Sequence, residues 1–143
     1  MLKVLFVCYG NSCRSQMAEA LANRFGAGNM CAFSAGTHPL GEISDDTREA
    51  LREKGIGLEG HRSKGLQDVP VSEMDVVVIM GRGLRCPMPA DFKGRVIQWS
   101  IPDPYSHDLD YFRFVCELIE SEVQGLLAEL GLENGNSKLE TRK

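Results

Sequence analysis

The sequence predicts an α/β fold, a single domain with a four-stranded parallel sheet and helices on both faces. Short apolar runs rich in β-branched residues alternate with amphipathic stretches along the chain. The segments between the runs are long enough for the helical crossovers that parallel neighbours require. A length of 143 residues suits one core and leaves little room for a second. The domain is expected to span 1–132, and 133–143 reads as a polar C-terminal tail, too poor in apolar residues to fold.

Lys3–Cys8 (KVLFVC) is a nearly continuous apolar run, the signature of a strand buried on both faces. From Arg14 and Ser15 onward, Met17, Ala18, Leu21, Ala22 and Phe25 recur at helical spacing, with Gly26 and Gly28 as stops. "MCAFSAG" (30–36) is the second strand. A helix over roughly 45–54 follows, with acids in its first turn and Lys54-Gly55 at its end. "MDVVVIM" (74–80) and "GRVIQWSI" (94–101) supply the third and fourth strands. A long amphipathic helix from about Leu109 to Leu130 carries Phe112, Val115, Leu118, Ile119, Val123, Leu126 and Leu127 on one stripe.

Composition excludes several classes of function. The net charge of −4 offers no field to gather nucleic acid, and no apolar run approaches the length of a membrane span. "MLKVLFVCYG" lacks the length and cleavage site of a secretory signal, so a cytoplasmic location is expected. Five cysteines at positions 8, 13, 31, 86 and 116 form no disulfide framework and no zinc spacing, so neither a metal nor an organic cofactor is expected. Cys31 and Cys116 read as small core residues. His38 and His107 read as solvated loop residues, and Arg82 and Arg85 as a solvated basic rim that could also steer a phosphorylated partner.

In a parallel α/β sheet, ligands bind beyond the C-terminal strand ends, which is where Cys8 falls. The loop Tyr9, Gly10, Asn11, Ser12 and Cys13 joins that strand to the helix opened by Arg14 and Ser15. Such a loop can turn its N–H groups inward and, with the helix N-terminus, cradle an oxyanion of phosphate size. The same partial charges favour Cys8 as a thiolate, Arg14 offers a planar fork for two equatorial oxygens, and the Ser15 hydroxyl can reach the sulfur. The chemistry implied is attack on phosphorus, or an analogue of it, through a thiol adduct.

"VCYGNSCRSQMAEA" resembles the phosphate-binding loop of the low-molecular-weight protein-tyrosine-phosphatase family and of the arsenate reductases that share its fold. "SAGT" (34–37), "GHRSKGL" (60–66) and "IPDPY" (101–105) resemble further segments of that family. The resemblance implies that Ser34 and His61 hydrogen-bond to Asn11 and hold it in a left-handed conformation. It also makes Asp103 the acid and later the base, on a loop stiffened by Pro102 and Pro104. Cys13 is implied as a redox partner of Cys8, with Cys86 a weaker candidate.

The residues mix the family's branches. Ser12 and Gln16 are closer to the reductases, yet "MGRGLRCPMPAD" keeps only Cys86 where thioredoxin-coupled reductases carry two further thiols. The first reading is a cysteine-dependent phosphatase acting on phosphotyrosine-type monoesters, in phosphorylated proteins or small esters, through a phosphocysteine. The alternative is an arsenate reductase whose Cys8 adduct is resolved by an external thiol, whether thioredoxin, glutaredoxin or a small thiol. A third reading, a non-catalytic oxyanion or phosphoprotein module, is disfavoured because a thiolate repels a ligand that N–H groups and Arg14 already hold.

Overall fold

The computed structural model describes residues 1–132; the tail expected at 133–143 lies outside the described residues. The strands are β1 (Leu2–Cys8), β2 (Met30–Gly36), β3 (Val76–Met80) and β4 (Arg95–Trp99), all parallel in the order β2-β1-β3-β4. The α-helices are α1 (Arg14–Phe25), α2 (Asp45–Arg52) and α3 (Leu109–Leu130).

Every residue of β3 is buried, as its unbroken apolar run requires in a central strand. Side chains alternate between faces. Val4, Phe6 and Cys8 of β1 join Val76, Val78 and Met80 of β3 in the larger core, under Met17 and Leu21 of α1, Leu51 of α2 and Ile119 and Val123 of α3. Leu5, Val7, Val77 and Ile79 point the other way. There the cover is thin: two single-turn 3-10 helices, Leu66–Asp68 and Val71–Glu73, and a loop contributing Leu84, Cys86, Met88 and Phe92. Helices therefore lie on both faces, but the α-helices gather on one. The chain crossing the second face carries Pro70, Pro87 and Pro89, which do not suit a long helix.

Several boundaries move. The second helix ends at Arg52, because Lys54 N–H turns to Leu51 O and Gly55 takes φ +79°. The third strand begins at Val76, since Met74 closes the preceding 3-10 turn by donating to Val71 O. The fourth strand is confined to Arg95–Trp99 and is largely exposed, as an edge strand is. Cys31 is a correction: on β2, Met30 and Ala32 point inward, so the residue between them faces solvent. Cys116 is buried as expected.

The strand order reverses at β1, whose neighbours β2 and β3 connect in opposite directions. The crevice beyond the C-terminal ends of β1 and β3 is the switch point at which such sheets bind ligands.

Candidate active site

Loop 9–13 closes over that crevice, and its carbonyls are all bonded outward. Thr37 N–H donates to Cys8 O, His38 N–H to Tyr9 O and Leu40 N–H to Gly10 O, the last shared with the Ser63 hydroxyl. Thr47 Oγ1 donates to Ser12 O at 3.0 Å, and Gln16 Nε2 reaches Asn11 O at 3.4 Å. Because C=O and N–H of one peptide plane point opposite ways, the loop's N–H groups face the cavity. Those of Gly10, Asn11, Ser12 and Cys13 have no partner among the described residues. The first turn of α1 adds further open donors: Cys13 makes no side-chain cap, and the turn holds no acid.

Holding the loop this way requires Asn11 at φ +50°, a left-handed strain, and Asn11 is completely buried in a saturated network. Lys64 N–H donates to Asn11 Oδ1 at 2.9 Å, which identifies that atom as the oxygen. Asn11 Nδ2 then donates to Ser15 Oγ at 2.7 Å and to Ser34 Oγ at 3.0 Å. With its lone pair engaged, Ser15 turns its proton to Cys8 Sγ, 2.9 Å away. Ser34 turns its own to Glu19 Oε1. One polarised chain thus runs from Glu19 through Ser34, Asn11 and Ser15 to the sulfur.

Gln16 braces the same asparagine. Its Nε2 donates to Asn11 Oδ1 and to Arg62 O, both at 2.9 Å, which leaves Oε1 to accept from His61 Nδ1 at 3.2 Å. The expected His61–Asn11 bond is therefore corrected: His61 acts one residue removed, because the Gln16 amide stands between them. Lys64 Nζ lies 3.2 Å from Ser34 Oγ and 3.8 Å from Glu19 Oε1. Burial lowers the affinity of Lys64 for its proton, and Glu19 opposes this. Gly36 completes the brace, since a Cβ there would sit 2.8 Å from Tyr9 O and 2.9 Å from Asn11 N.

Cys8, Tyr9, Gly10, Ser12, Cys13, Arg14 and Asp103 share one cavity of about 210 Å³ with Leu40 and Tyr105. Arg14 is buried, anchored by Nη1 to Ile101 O at 2.9 Å, with Nη2 3.6 Å from Asp103 Oδ2. Asp103 also accepts Tyr105 N–H at 3.1 Å. Asn11 and Ser15 stand behind the cavity wall, and Ser34 behind them.

The two candidate redox thiols differ in place. Cys13 lines the cavity, but burial pushes its thiol up to about 11 against hydrogen bonds from Thr47 and Ser12. Cys86 packs against the second face of the sheet, opposite the core that holds Cys8, and burial raises its thiol too. His38 is exposed, as expected, and stacks on Tyr9 with centroids 4.5 Å apart. Sequence reasoning missed Glu19, Gly36, Leu40, Thr47 and Ser63. Of these only Gly36 carried a signal, a glycine at a strand end where another backbone approaches closely.

An inward-facing oxyanion cradle built around a buried thiol, at the switch point of a parallel α/β sheet, defines the class. A family model described as low molecular weight phosphotyrosine protein phosphatase matches residues 3–136, and the chain belongs to that family of enzymes. It is 32% identical to the glutaredoxin arsenate reductase of Synechocystis sp., over 91% of this chain and 99% of that one. It is also 32% identical to the low molecular weight protein-tyrosine-phosphatase YfkJ of Bacillus subtilis, over 93% of this chain and 98% of that one. The crystal structure of an arsenate reductase from Archaeoglobus fulgidus superposes with a TM-score of 0.79 at 30% identity, covering 87% of this chain and 98% of that one.

Proposed function

We propose that this enzyme hydrolyses phosphotyrosine-type monoesters through a phosphocysteine on Cys8. The observation that carries this reading is Asp103, set on the wall of the Cys8 cavity beside Tyr9 and Tyr105. An aryl oxygen leaving phosphorus gains from a proton donor at that place, and aromatic side chains suit its ring. The ester's phosphoryl oxygens take the loop N–H groups and the Arg14 fork, and the Cys8 thiolate attacks in line. The P–O bond breaks, and Asp103 delivers its proton to the leaving oxygen. Its carboxylate then accepts a proton from the water that attacks the phosphocysteine. The P–S bond breaks, inorganic phosphate leaves, and the Ser15 hydroxyl stabilises the returning thiolate. These steps use neither a metal nor an organic cofactor.

A second reading is favoured by Ser12 and Gln16 in the loop and by the arsenate reductases among the relatives. Arsenate carries the same charge and shape as phosphate, and Cys8 can displace hydroxide from it. An external thiol then attacks the sulfur of the adduct, arsenic(V) leaves as arsenic(III), and the two sulfurs are oxidised to a mixed disulfide. The donor is external in this reading because Cys86 lies on the far face of the sheet and burial raises the Cys13 thiol. A catalytic thiolate suits a reducing compartment, which supports action in the cytoplasm. No helix among the described residues is long and apolar enough to cross a membrane.

The test sets an aryl phosphate beside arsenate supplied with thioredoxin, glutaredoxin or glutathione. Ester turnover is expected, slowed by about 10²-fold or more in Asp103→Asn. Turnover of arsenate alone would hand the site to the second reading, and turnover of neither would overturn both.

A further inference from the structure

A second groove, of about 510 Å³, opens beside the catalytic cavity and shares Tyr9, Arg14 and Asp103 with it. One wall is the Tyr9–His38 stack. The other is a turn in which Leu84 N–H donates to Gly81 O at 3.2 Å and Gly83 takes φ +75°. Leu84 and Cys86 pin the turn by packing on the second face of the sheet, which leaves Arg82 and Arg85 exposed on the groove. Gly81 seats it against the catalytic arginine, since a Cβ there would lie 3.3 Å from Arg14 Nη1.

Arg52, Arg95 and Arg113 each hold a carboxylate. Arg82 and Arg85 have no partner among the described residues. The only acid lining the groove is Asp103, already engaged by Arg14 and by Tyr105 N–H. In a chain of net charge −4 this is a local reversal of sign at the mouth of the site.

We propose that the groove binds the acidic residues flanking a phosphorylated tyrosine in a protein substrate, with Arg82 and Arg85 meeting their carboxylates. The proposal rests on the phosphatase reading and names the substrate class for it. The catalytic cavity alone accommodates the phosphorylated ring. The wider groove then receives the chain beside it, its backbone along the Tyr9–His38 stack and its acids against the two guanidiniums. Attraction at such a rim acts on encounter and binding, so its signature belongs in KM and fades with salt.

The experiment compares phosphotyrosine peptides that differ only in flanking Asp/Glu against Asn/Gln, together with p-nitrophenyl phosphate. At low salt the acidic peptide is expected to have a kcat/KM about five- to tenfold higher, carried by KM. The double variant Arg82→Ala/Arg85→Ala should erase that preference and leave p-nitrophenyl phosphate turnover unchanged. Equal kcat/KM for the two peptides, or a preference that survives the double variant, overturns the proposal. A double variant that alters only glutathione-supported arsenate turnover also overturns it. Failure to hydrolyse p-nitrophenyl phosphate at all would instead overturn the phosphatase reading, and the proposal with it.

Discussion

At the start of α3, Asp108 accepts Tyr111 N–H at 3.0 Å and Asp110 sits in the first turn; at the start of α1, Cys13 caps nothing and no acid follows it. α2 resembles α3, with Ser44 accepting Asp46 N–H and acids at Asp45 and Asp46. Two helices thus satisfy their open donors and their dipoles internally. A side-chain cap contributes about 1 kcal/mol, so α1 forgoes stability by leaving its N-terminus open. Its third helical residue, where an acid often reaches back to the cap, is Gln16, which turns instead to Asn11 and Arg62. The difference teaches where the ligand's charge belongs. The donors that α3 uses on itself are left open at α1, as the proposed oxyanion site requires.

The largest effect that would break this contrast is loss of the sulfur above the open helix end. Cys8→Ser is expected to reduce aryl phosphate turnover by about 10⁴-fold or more while inorganic phosphate still binds by calorimetry. Retained turnover would remove the nucleophile from the site. Gln16→Glu gives α1 the acid that the other helices carry. It deletes three donated hydrogen bonds and sets a carboxylate against Asn11 Oδ1, so kcat/KM should fall about 10²-fold. A melting temperature close to that of the unmodified protein would show that the loop, not the fold, was lost.

Smaller effects concern stability. Cys13 and Cys116 titrate near 9.0 when unfolded and are pushed up to about 11 in the fold. The folded chain then binds more protons across that window, so stability is retained below pH 9 and falls as pH rises toward 11. The loss is at most about 3 kcal/mol per thiol. Urea midpoints at pH 8.5 and 10.5 test this, and Cys116→Ala should shrink the drop. At the small end, Asp108→Ala should cost about 1 kcal/mol in urea unfolding and leave kcat/KM within about twofold. A loss of activity there would mean that the two helix starts are not as separate as their caps indicate.

Much of the fold was legible because its signals are local. The apolar runs of β1 and β3 declare strands buried on both faces, and the stripe of α3 declares its inner side. Leu118 is only half-buried on that stripe, while Cys116 beside it is buried. Cys31 misled because its apolar neighbours Met30 and Ala32 gave no hint that the residue between them faces out. Boundaries at 52 and 76 followed turn hydrogen bonds that no apolar pattern encodes. At the site, Cys8, Arg14 and Ser15 lie on one short stretch, and residues from positions 34, 61 and 103 were placed by resemblance to a family.

What the sequence by itself determined is the strand–loop–helix that carries Cys8 and Arg14. Periodicity, glycine placement and the order of residue types act there within a few positions of one another. Only the tertiary structure decided how the strained Asn11 is held. Its partners Ser34, Lys64 and the Gln16–His61 pair come from segments up to 53 residues away, and hydrogen bonds across such distances leave no periodic trace. Tertiary packing likewise set the arginines of the 81–85 turn, unpaired among the described residues, beside the Cys8 cavity. Which side chains share a cavity depends on how β1 and β3 lie together in the sheet, and only the folded sheet makes that pairing.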